Sequence, residues 1–464
     1  MSWQGLWGLL ASLALAGCSF VPSYVRPPSP VAAQWHDAPA EPATAPLPGW
    51  QQMFNDPQLR ELIALALEHN RGLRIAVQRI DEARALLGVA TANLGPTLGL
   101  QGATQRRQLS ALDSPSGERK IVEQGRFTLG VGITAYELDI WGRVRALRAS
   151  AGEQLLATEE EARAVQISLV AEVAAAYYEA LAYLSLKERH GQLLAAGERS
   201  LGLIERRRGQ GLASELEVRQ AQALVLGLVG EQASAERSQV QALNRLELLS
   251  GRGLAASRLQ PAALEGDQLL APVTAGLPSD LLTQRPDIRA AEARLKAYNA
   301  NIGAARAAYL PRISLSGLLG FSSPELNQLF RGGAKAWSFV PDVTLPLFDF
   351  GRRQSQLALA SAQRDIAVSE YERVIQQAFR EVADALGSAE PLHRELEAQR
   401  LLVANERRRV ELATLLYEDG LNSYLEVLDA QRSLSAAQQG FIRARLAGLG
   451  NQLSLYKALG GGWG

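Results

Sequence analysis

The chain has 464 residues, and its 48 lysines and arginines balance 48 aspartates and glutamates, so the formal net charge is zero. This balance argues against a nucleic-acid partner, which requires a basic surface. The single cysteine excludes an internal disulfide and a thiolate metal site. The four histidines are isolated in sequence, and there is no P-loop or dinucleotide fingerprint. We therefore predict a protein that is not an enzyme and that binds no metal.

The N-terminus resembles that of a bacterial lipoprotein. Residues 6–15 form an apolar run that is too short to span a bilayer as a mature helix. The residues that follow it, ending at Cys18, resemble a lipobox. This resemblance implies a signal peptide over residues 1–17 and a covalent lipid on Cys18, with no other cofactor. Ser19 takes the place of the aspartate that would favour the inner membrane, and it therefore points to the outer membrane.

A proline-rich strap over residues 18–54 is expected to connect the lipid to the folded body, because no helix or central strand tolerates that density of proline. After it, the chain is one structural unit built twice. Gly142 and Gly251 in the first half recur as Gly351 and Gly460 in the second. The predicted division is repeat 1 over 55–251, a linker over 252–277, repeat 2 over 278–460 and a tail over 461–464.

Short helices are predicted from Asp56 to just before Pro96. Much longer helices follow, because extended stretches of strong helix formers lack proline. Their predicted ranges are 143–209, 214–249, 352–419 and 423–459. Pro391 lies inside the third of them, and we expect a kink or a break there.

Between the short and long helices of each half, apolar residues alternate with small or polar ones. We predict strand hairpins at about 97–137 and 312–348, with apolar faces long enough for transmembrane strands. A half-buried soluble hairpin has the same pattern and stays an alternative.

Four transmembrane strands cannot close a barrel, and an open edge in lipid leaves backbone groups unpaired at a cost of several kcal/mol each. Two copies would give about eight strands, too few for an open lumen, whereas three would give about twelve. The predicted fold class is therefore mainly α with a β-barrel part. It is an internally duplicated chain whose long helical hairpins form a periplasmic α-barrel, and whose four strands contribute to a trimeric twelve-stranded transmembrane β-barrel.

Several motifs occur in order along this doubled chain. They are the lipobox, residues 136–143 (YELDIWGR), 277–282 (LPSDLL), 285–292 (RPDIRAAE), 347–352 (LFDFGR) and the turn at 417–432. Together they make the chain similar to TolC-like outer-membrane factors, in the OprM/NodT-type lipoprotein branch of tripartite efflux systems.

The resemblance implies a passive exit duct for drugs or other small molecules that works as a homotrimer in outer-membrane lipid and extends into the periplasm. It also implies a periplasmic adaptor (membrane fusion) protein and an inner-membrane pump of the resistance-nodulation-division type as partners.

The tips of the two long hairpins are the predicted adaptor contacts. Each has a glycine able to adopt the left-handed conformation, an adjacent leucine and a serine N-cap. These residues are Gly211, Leu212 and Ser214 in the first tip and Gly420, Leu421 and Ser423 in the second. Each serine has a glutamate three residues later, so a capping box is predicted in both tips.

The family closes its periplasmic end near the second tip. Matched residue by residue, the predicted gate consists of Tyr417, Leu425, Asp429 and Arg432. The equivalent residues of the first half are Arg208, Leu216, Gln220 and Ala223, so only the second hairpin carries both the acid and the base. Asp429 and Arg432 are expected to bond across neighbouring helices, with an ordinary solvated i, i+3 pair as the alternative. Glu426 is predicted to cap its helix; if it also faces the lumen, it forms an acidic ring with Asp429.

Two other functions remain open on the sequence. One is the outer-membrane duct of a type I protein secretion system, which has the same fold. The other is a periplasmic coiled-coil lipoprotein without a pore, which would leave the strand segments unexplained.

Overall fold

A computed structural model describes residues 20–32, 48–108, 123–252, 264, 269–271 and 278–461. The predicted signal peptide, Cys18 and most of the linker 252–277 lie outside these residues. The described residues form two compact units, each treated separately below. The first unit draws on the ranges Met1–Pro27, Ile80–Thr158 and Ala291–Tyr371. The second draws on Pro28–Arg79, Glu159–Ala290 and Glu372–Gly464.

The helices and strands are numbered separately in chain order. The helices are α1 (Trp50–Met53), α2 (Pro57–His69), α3 (Arg71–Ala92), α4 (Arg143–Gly209), α5 (Glu215–Ser250), α6 (Pro278–Gln284), α7 (Pro286–Ala307), α8 (Arg352–Glu418) and α9 (Tyr424–Ala458). The strands are β1 (Leu98–Gln108), β2 (Glu123–Glu137), β3 (Arg312–Ser323) and β4 (Lys335–Thr344). A short 3₁₀ helix (Leu326–Gln328) lies between β3 and β4.

The four long helices lie where the sequence predicted them, each bound falling within one residue of expectation. Of the kink or break expected at Pro391, the break is wrong, because α8 is continuous through it, and the kink stays a prediction. A proline ring clashes with the carbonyl four residues earlier. That residue is Gly387, and no heavy atom lies within 4 Å of where its Cβ would be. Gly387 therefore brings no side chain of its own into this turn.

Helix α4 provides the centre of the core of the second unit. Tyr177, Tyr178 and Leu181 are fully buried there, among apolar residues of α2 and α9. One stretch of α4 is apolar enough in composition to cross a membrane, but most of it is buried in this way, as expected of a core helix. The Tyr177 hydroxyl donates to Asp56 over 2.5 Å, and the same carboxylate accepts from the Gln58 backbone N–H and so caps α2.

The two halves close their long hairpins with equivalent contacts in the second unit. In the first half, the Asn70 amide donates to the Leu249 carbonyl near the end of α5, over 2.8 Å. In the second half, the guanidinium of Arg285 donates to the Ala458 carbonyl near the end of α9, over 2.7 Å. Both carbonyls belong to the last turn of a helix, where backbone acceptors lack intrahelical partners. The two halves of the chain therefore share the hydrogen bond that joins the end of each long hairpin to a residue just after the short helix of the same half.

The glycines after α5 and α9 contribute to the same contacts between the long hairpins and the short helices. Gly251 and Gly460 both have positive φ, at 70° and 101°. A Cβ on Gly251 would lie 2.6 Å from the His69 carbonyl oxygen, and one on Gly460 would lie 3.2 Å from that of Gln284. The repeated glycines therefore allow the backbone just after each long hairpin to approach the last residue of the short helix in the same half.

In the first unit, aspartates of two motifs singled out in the sequence cap the long helices. Asp139 accepts from the backbone N–H groups of Val144 and Arg145, over 2.9 and 2.8 Å. Asp349 accepts from that of Arg353, over 3.2 Å. An acid at a helix N-terminus is favoured by the unpaired N–H groups and by the helix dipole.

The four strands form one antiparallel sheet in the order β1-β2-β3-β4. Directly paired residues lie on the same face, so the register places Leu100, Val131, Leu319 and Trp337 in one row across the sheet. All four are exposed. The opposite face has small or polar residues such as Gly130, Gly320 and Ala336 in register. One face of the sheet is thus apolar and uncovered by the chain itself.

Strand β4 ends at Thr344, so Leu345 and Leu347, which the alternation placed on the strand, lie beyond it. Pro346 lies between them. It has no N–H to donate to a neighbouring strand, and it ends the regular pairing.

Candidate functional site at the helical turns

The two predicted tips have the same backbone. Gly211 and Gly420 have φ of +75° and +73°. In the first tip, the Leu212 N–H donates to the Arg207 carbonyl over 2.8 Å, and in the second the Leu421 N–H donates to the Leu416 carbonyl over 2.8 Å. The two leucines are 69% and 71% exposed. Each tip therefore presents a leucine to solvent from a helix end fixed by a left-handed glycine.

The caps of the two tips differ. Ser214 and Glu217 form the predicted capping box, with the Glu217 N–H donating to the serine Oγ over 3.2 Å and the Ser214 N–H donating to the glutamate over 2.6 Å. Ser423 starts α9 without a side-chain hydrogen bond, so the capping box predicted there is wrong.

Two contacts replace the capping box in the second tip. The Glu426 N–H donates to the Ser423 carbonyl over 3.2 Å and not to the serine hydroxyl. The side-chain amide of Asn422 donates to Glu426 over 2.9 Å and so takes the carboxylate that would complete the box. The first tip has Ala213 at this position and no competing donor. Glu426 therefore holds the turn through Asn422 and not through the cap.

The two serines provide a matched pair for mutation. Ser214→Ala is expected to lower the free energy of unfolding by about 1 kcal/mol, because it removes a cap that accepts a backbone N–H. Ser423→Ala should change it by only a few tenths. Hydrogen–deuterium exchange of the first turns of α5 and α9 measures both. Equal deprotection in the two variants would contradict the assigned caps.

Beneath the tips, the two hairpins pack against each other around apolar residues of all four long helices, including Ile204, Leu224, Ala413 and Leu428. The Tyr417 ring lies here, 5.2 Å from that of Tyr424, with the guanidinium of Arg207 5.0 Å from its centroid. Burial raises the pKa of the Tyr424 hydroxyl. Tyr417, one of the predicted gate residues, therefore contacts the other hairpin of its own chain.

Asp429 pairs with Arg409 of α8. The same guanidinium donates to Glu406 and to Ser433, both over 3.3 Å. The hydrogen bond to Asp429 is the main cause of the raised pKa of Arg409. Arg432 is exposed, and it forms no hydrogen bond or ion pair within the part of the chain that the structure describes. Within one chain, the solvated Asp429–Arg432 pair is therefore not formed, and a different arginine binds the aspartate.

Sequence reasoning missed Arg409, although the hairpin offered a signal. Arg409 and Asp429 lie equally far from Asp419, at the start of the turn. Residues equidistant from the turn of an antiparallel hairpin lie at the same level. The first half has Ser200 and Gln220 at these positions, so this ion pair belongs to the second hairpin alone.

The other predicted gate residues share one face of α9. Leu425, Asp429 and Arg432 follow a spacing of four and three, which places them on one stripe. All three are exposed in the single chain, as is Glu426. The stripe combines an apolar group, an acid and an unpaired base, which can form contacts with another copy.

Comparison with known proteins agrees with the duplicated fold. The family model described as outer membrane efflux protein matches residues 62–252 and 277–461, once in each half. The chain belongs to the outer membrane efflux protein family.

Its relatives in this family match over nearly their whole length. A probable efflux pump outer membrane protein of Pseudomonas putida, TtgC, is 43% identical over 98% of this chain and 94% of its own. Outer membrane protein OprJ of Pseudomonas aeruginosa is 42% identical over 99% of this chain and 96% of its own. Among solved structures, the open state of the Neisseria gonorrhoeae MtrE outer membrane channel superposes with a TM-score of 0.84 at 34% identity, covering 96% of this chain and 98% of that one.

Proposed function

We propose that this outer membrane efflux protein is the exit duct of a tripartite pump for drugs or other small molecules. Three copies form the duct, and each is anchored in the outer membrane by a lipid on Cys18. The duct is passive, since energy comes from an inner-membrane pump of the resistance-nodulation-division type. A periplasmic adaptor joins that pump to the duct and opens it.

The observation that carries this proposal is the uncovered apolar row on an unclosed sheet. Strands β1 and β4 are the edges of the sheet, and backbone groups left unpaired in lipid cost several kcal/mol each. Pairing β4 of one copy with β1 of the next removes those edges. Three copies give about twelve strands, enough for an open lumen whose outer surface is the apolar face.

The helical tips are the proposed adaptor contacts. Leu212 and Leu421 project from equivalent turns, so an adaptor can contact both in the same way. The stripe of Leu425, Asp429 and Arg432 is the proposed gate, with Leu425 as the apolar constriction. In this proposal, Arg409 holds Asp429 within the chain, and Arg432 reaches a neighbouring copy. If Glu426 also faces the lumen, it completes an acidic ring with Asp429, whose charge Arg409 partly balances, and this ring would favour cations.

The proposal is tested by placing an arginine on either face of the sheet. Leu319 and Ser338 are both exposed in the single chain, but Leu319 belongs to the apolar row and Ser338 to the opposite face. Leu319→Arg should destabilise insertion by about 2–4 kcal/mol per copy and abolish current steps in planar bilayers. Ser338→Arg should insert normally and change conductance or ion selectivity, because its side chain faces the lumen.

Wild-type protein is expected to give discrete current steps and a trimeric mass in detergent. A pore-free tether gives no steps with any variant. Equal insertion of the two arginine variants would show that the apolar row does not face lipid and would reject the barrel.

A further inference from the structure

Residues 21–26 are held against one side of α7 in the first unit. The α7 residues that contact them are Glu292, Lys296, Asn299 and Gly303. Their spacing of four, three and four residues places them on a single helix face. We call this set the strap seat. Nothing in the proposed duct or gate requires it.

Glu292 is the polar centre of the strap seat. Its side chain is only 8% exposed, and it accepts from the Tyr24 hydroxyl over 3.0 Å and from two nitrogens of Arg26 over 3.0 and 2.7 Å. Lys296 lies 3.5 Å from the same carboxylate and 5.2 Å from the centroid of the Tyr24 ring. A carboxylate this buried requires compensating donors, and the strap provides most of them.

The pKa values of the strap seat agree with this geometry. Burial would raise the pKa of Glu292, but the hydrogen bond from Arg26, the charge of Lys296 and the hydrogen bond from Tyr24 outweigh it, so the pKa lies below its ordinary value. Burial together with the neighbouring carboxylate raises the pKa of the Tyr24 hydroxyl. Near neutral pH the two therefore stay in the forms that bind each other, a carboxylate and a neutral phenol.

The rest of the strap seat fixes the position of the strap along α7. The Asn299 amide donates to the Pro22 carbonyl over 2.8 Å. A Cβ on Gly303 would lie 2.4 Å from Val21 Cγ2 and 2.8 Å from its Cα. Because the second contact is with backbone, no rotamer change relieves it. Only glycine allows the strap to lie this close.

Chain length then limits where a lipid on Cys18 can lie. Cys18 and Val21 are three residue steps apart, and when fully extended these steps span at most about 11 Å. From Gly303 to the end of α7 at Ala307 is roughly 6 Å along the helix axis. β3 begins soon afterwards, at Arg312. A seated strap therefore confines the lipid to the neighbourhood of the junction between α7 and β3.

We propose that the strap seat holds the lipid of Cys18 beside this junction, so that a chain with an open sheet is kept at the inner leaflet of the outer membrane until other copies close the barrel. The inference rests on the proposed lipidation and barrel, and it assigns a role in assembly to Glu292 of the RPDIRAAE motif. Its binding partner is the chain's own N-terminal segment, and through it the phospholipid leaflet.

The contact between the strap and the strap seat is tested first. The measurement is limited chymotrypsin cleavage of the purified full chain after Tyr24. Glu292→Gln and Gly303→Leu should each speed this cleavage by about tenfold, the loss expected when a charge-assisted contact or a close fit is removed. Gly88→Leu is the matched control, since Gly88 is also helical and no heavy atom lies within 4 Å of its would-be Cβ. Unchanged cleavage in both seat variants would overturn the proposal.

Assembly is tested in cells by the fraction of trimer formed after a pulse of synthesis. Gly303→Leu should lower it several-fold, as should Cys18→Ser exported behind a cleavable signal peptide. The double variant should be no worse than either single one, because lipid and strap seat act in series. Additive losses would reject the coupling. A reactive Cys18 thiol in the wild-type protein would instead show that the lipidation itself fails, and trimers with unchanged conductance show that the duct is intact.

Discussion

Arg285→Ala is expected to lower the free energy of unfolding by about 2–4 kcal/mol, the largest single-residue effect on stability that we predict. The side chain of Arg285 is 8% exposed. It donates to Asp287 over 3.0 and 2.6 Å, to Glu381 over 2.9 Å and to the Ala458 carbonyl over 2.7 Å. Truncation leaves two carboxylates and a helix-terminal carbonyl without their common donor. Water reaches the carboxylates in part, which keeps the loss below that of a fully buried pair.

The first half of the chain provides the control. Asn70 occupies the position equivalent to Arg285 and bonds the equivalent carbonyl, that of Leu249. It is neutral, and Gly72 stands where the second half has Asp287. The Asn70 side chain also accepts from the Leu73 backbone N–H over 3.0 Å and so caps α3. Asn70→Ser keeps an acceptor for that N–H but removes the amide that donates to Leu249, so it should cost only about 1 kcal/mol, the value of a neutral hydrogen bond.

Thermal unfolding followed by circular dichroism in detergent measures both variants. Because the unfolding entropy of a 464-residue chain is large, the Arg285 variant should melt roughly 2–4 °C lower and the Asn70 variant about 1 °C lower. Equal shifts would mean that the charges around Arg285 contribute nothing beyond the shared contact with the carbonyl.

Much of the fold could be predicted from the sequence. The positions of the long helices followed from local chemistry, since proline-free runs of strong helix formers leave few other options. The strands followed from a period of two, and their register then placed Leu100, Val131, Leu319 and Trp337 in one row. Family membership followed from motifs in order, and the comparisons confirmed it.

The details that the sequence could not predict depend on competition between neighbours. At Ser423, the Asn422 amide takes the Glu426 carboxylate, and the Glu426 N–H donates to the serine carbonyl and not to its hydroxyl. Pro391 is accommodated within α8, four residues after Gly387, although proline in a helix interior favours a break. In each case both competitors were visible in the sequence, but only the folded geometry decides which contact forms.

At the proposed gate, too, two neighbouring residues compete for one contact, because both Arg409 and Arg432 could pair with Asp429. Arg432 lies three residues after Asp429 on α9, and this local spacing made it the expected ion-pair partner. Arg409 comes from the opposite helix of the hairpin, and it is already fixed near Glu406 and Ser433. A base held in place by its own helix loses less side-chain freedom on pairing than a free one, which favours the contact across the hairpin.

Arg409→Ala is accordingly expected to open the channel as strongly as Asp429→Ala, raising the open probability in single-channel recordings on the order of tenfold across three copies. Releasing Asp429 removes a link between α8 and α9 at the level of the proposed constriction. Arg408→Ala is the control, because Arg408 is the adjacent residue and pairs instead with Glu411 of its own helix, over 2.8 Å. It should leave the open probability unchanged.

The double variant with Arg409→Asp and Asp429→Arg should restore the closed channel if the pair acts through its own attraction. Arg432→Ala separates the two arginines. If Arg432 holds a neighbouring copy, its loss should open the channel even while Arg409 and Asp429 remain paired, and the effects of Arg409→Ala and Arg432→Ala should then add. A closed Arg409→Ala channel would mean that the hairpin is held by its apolar core around Tyr417 and Tyr424 alone, and that Asp429 has no part in the gate.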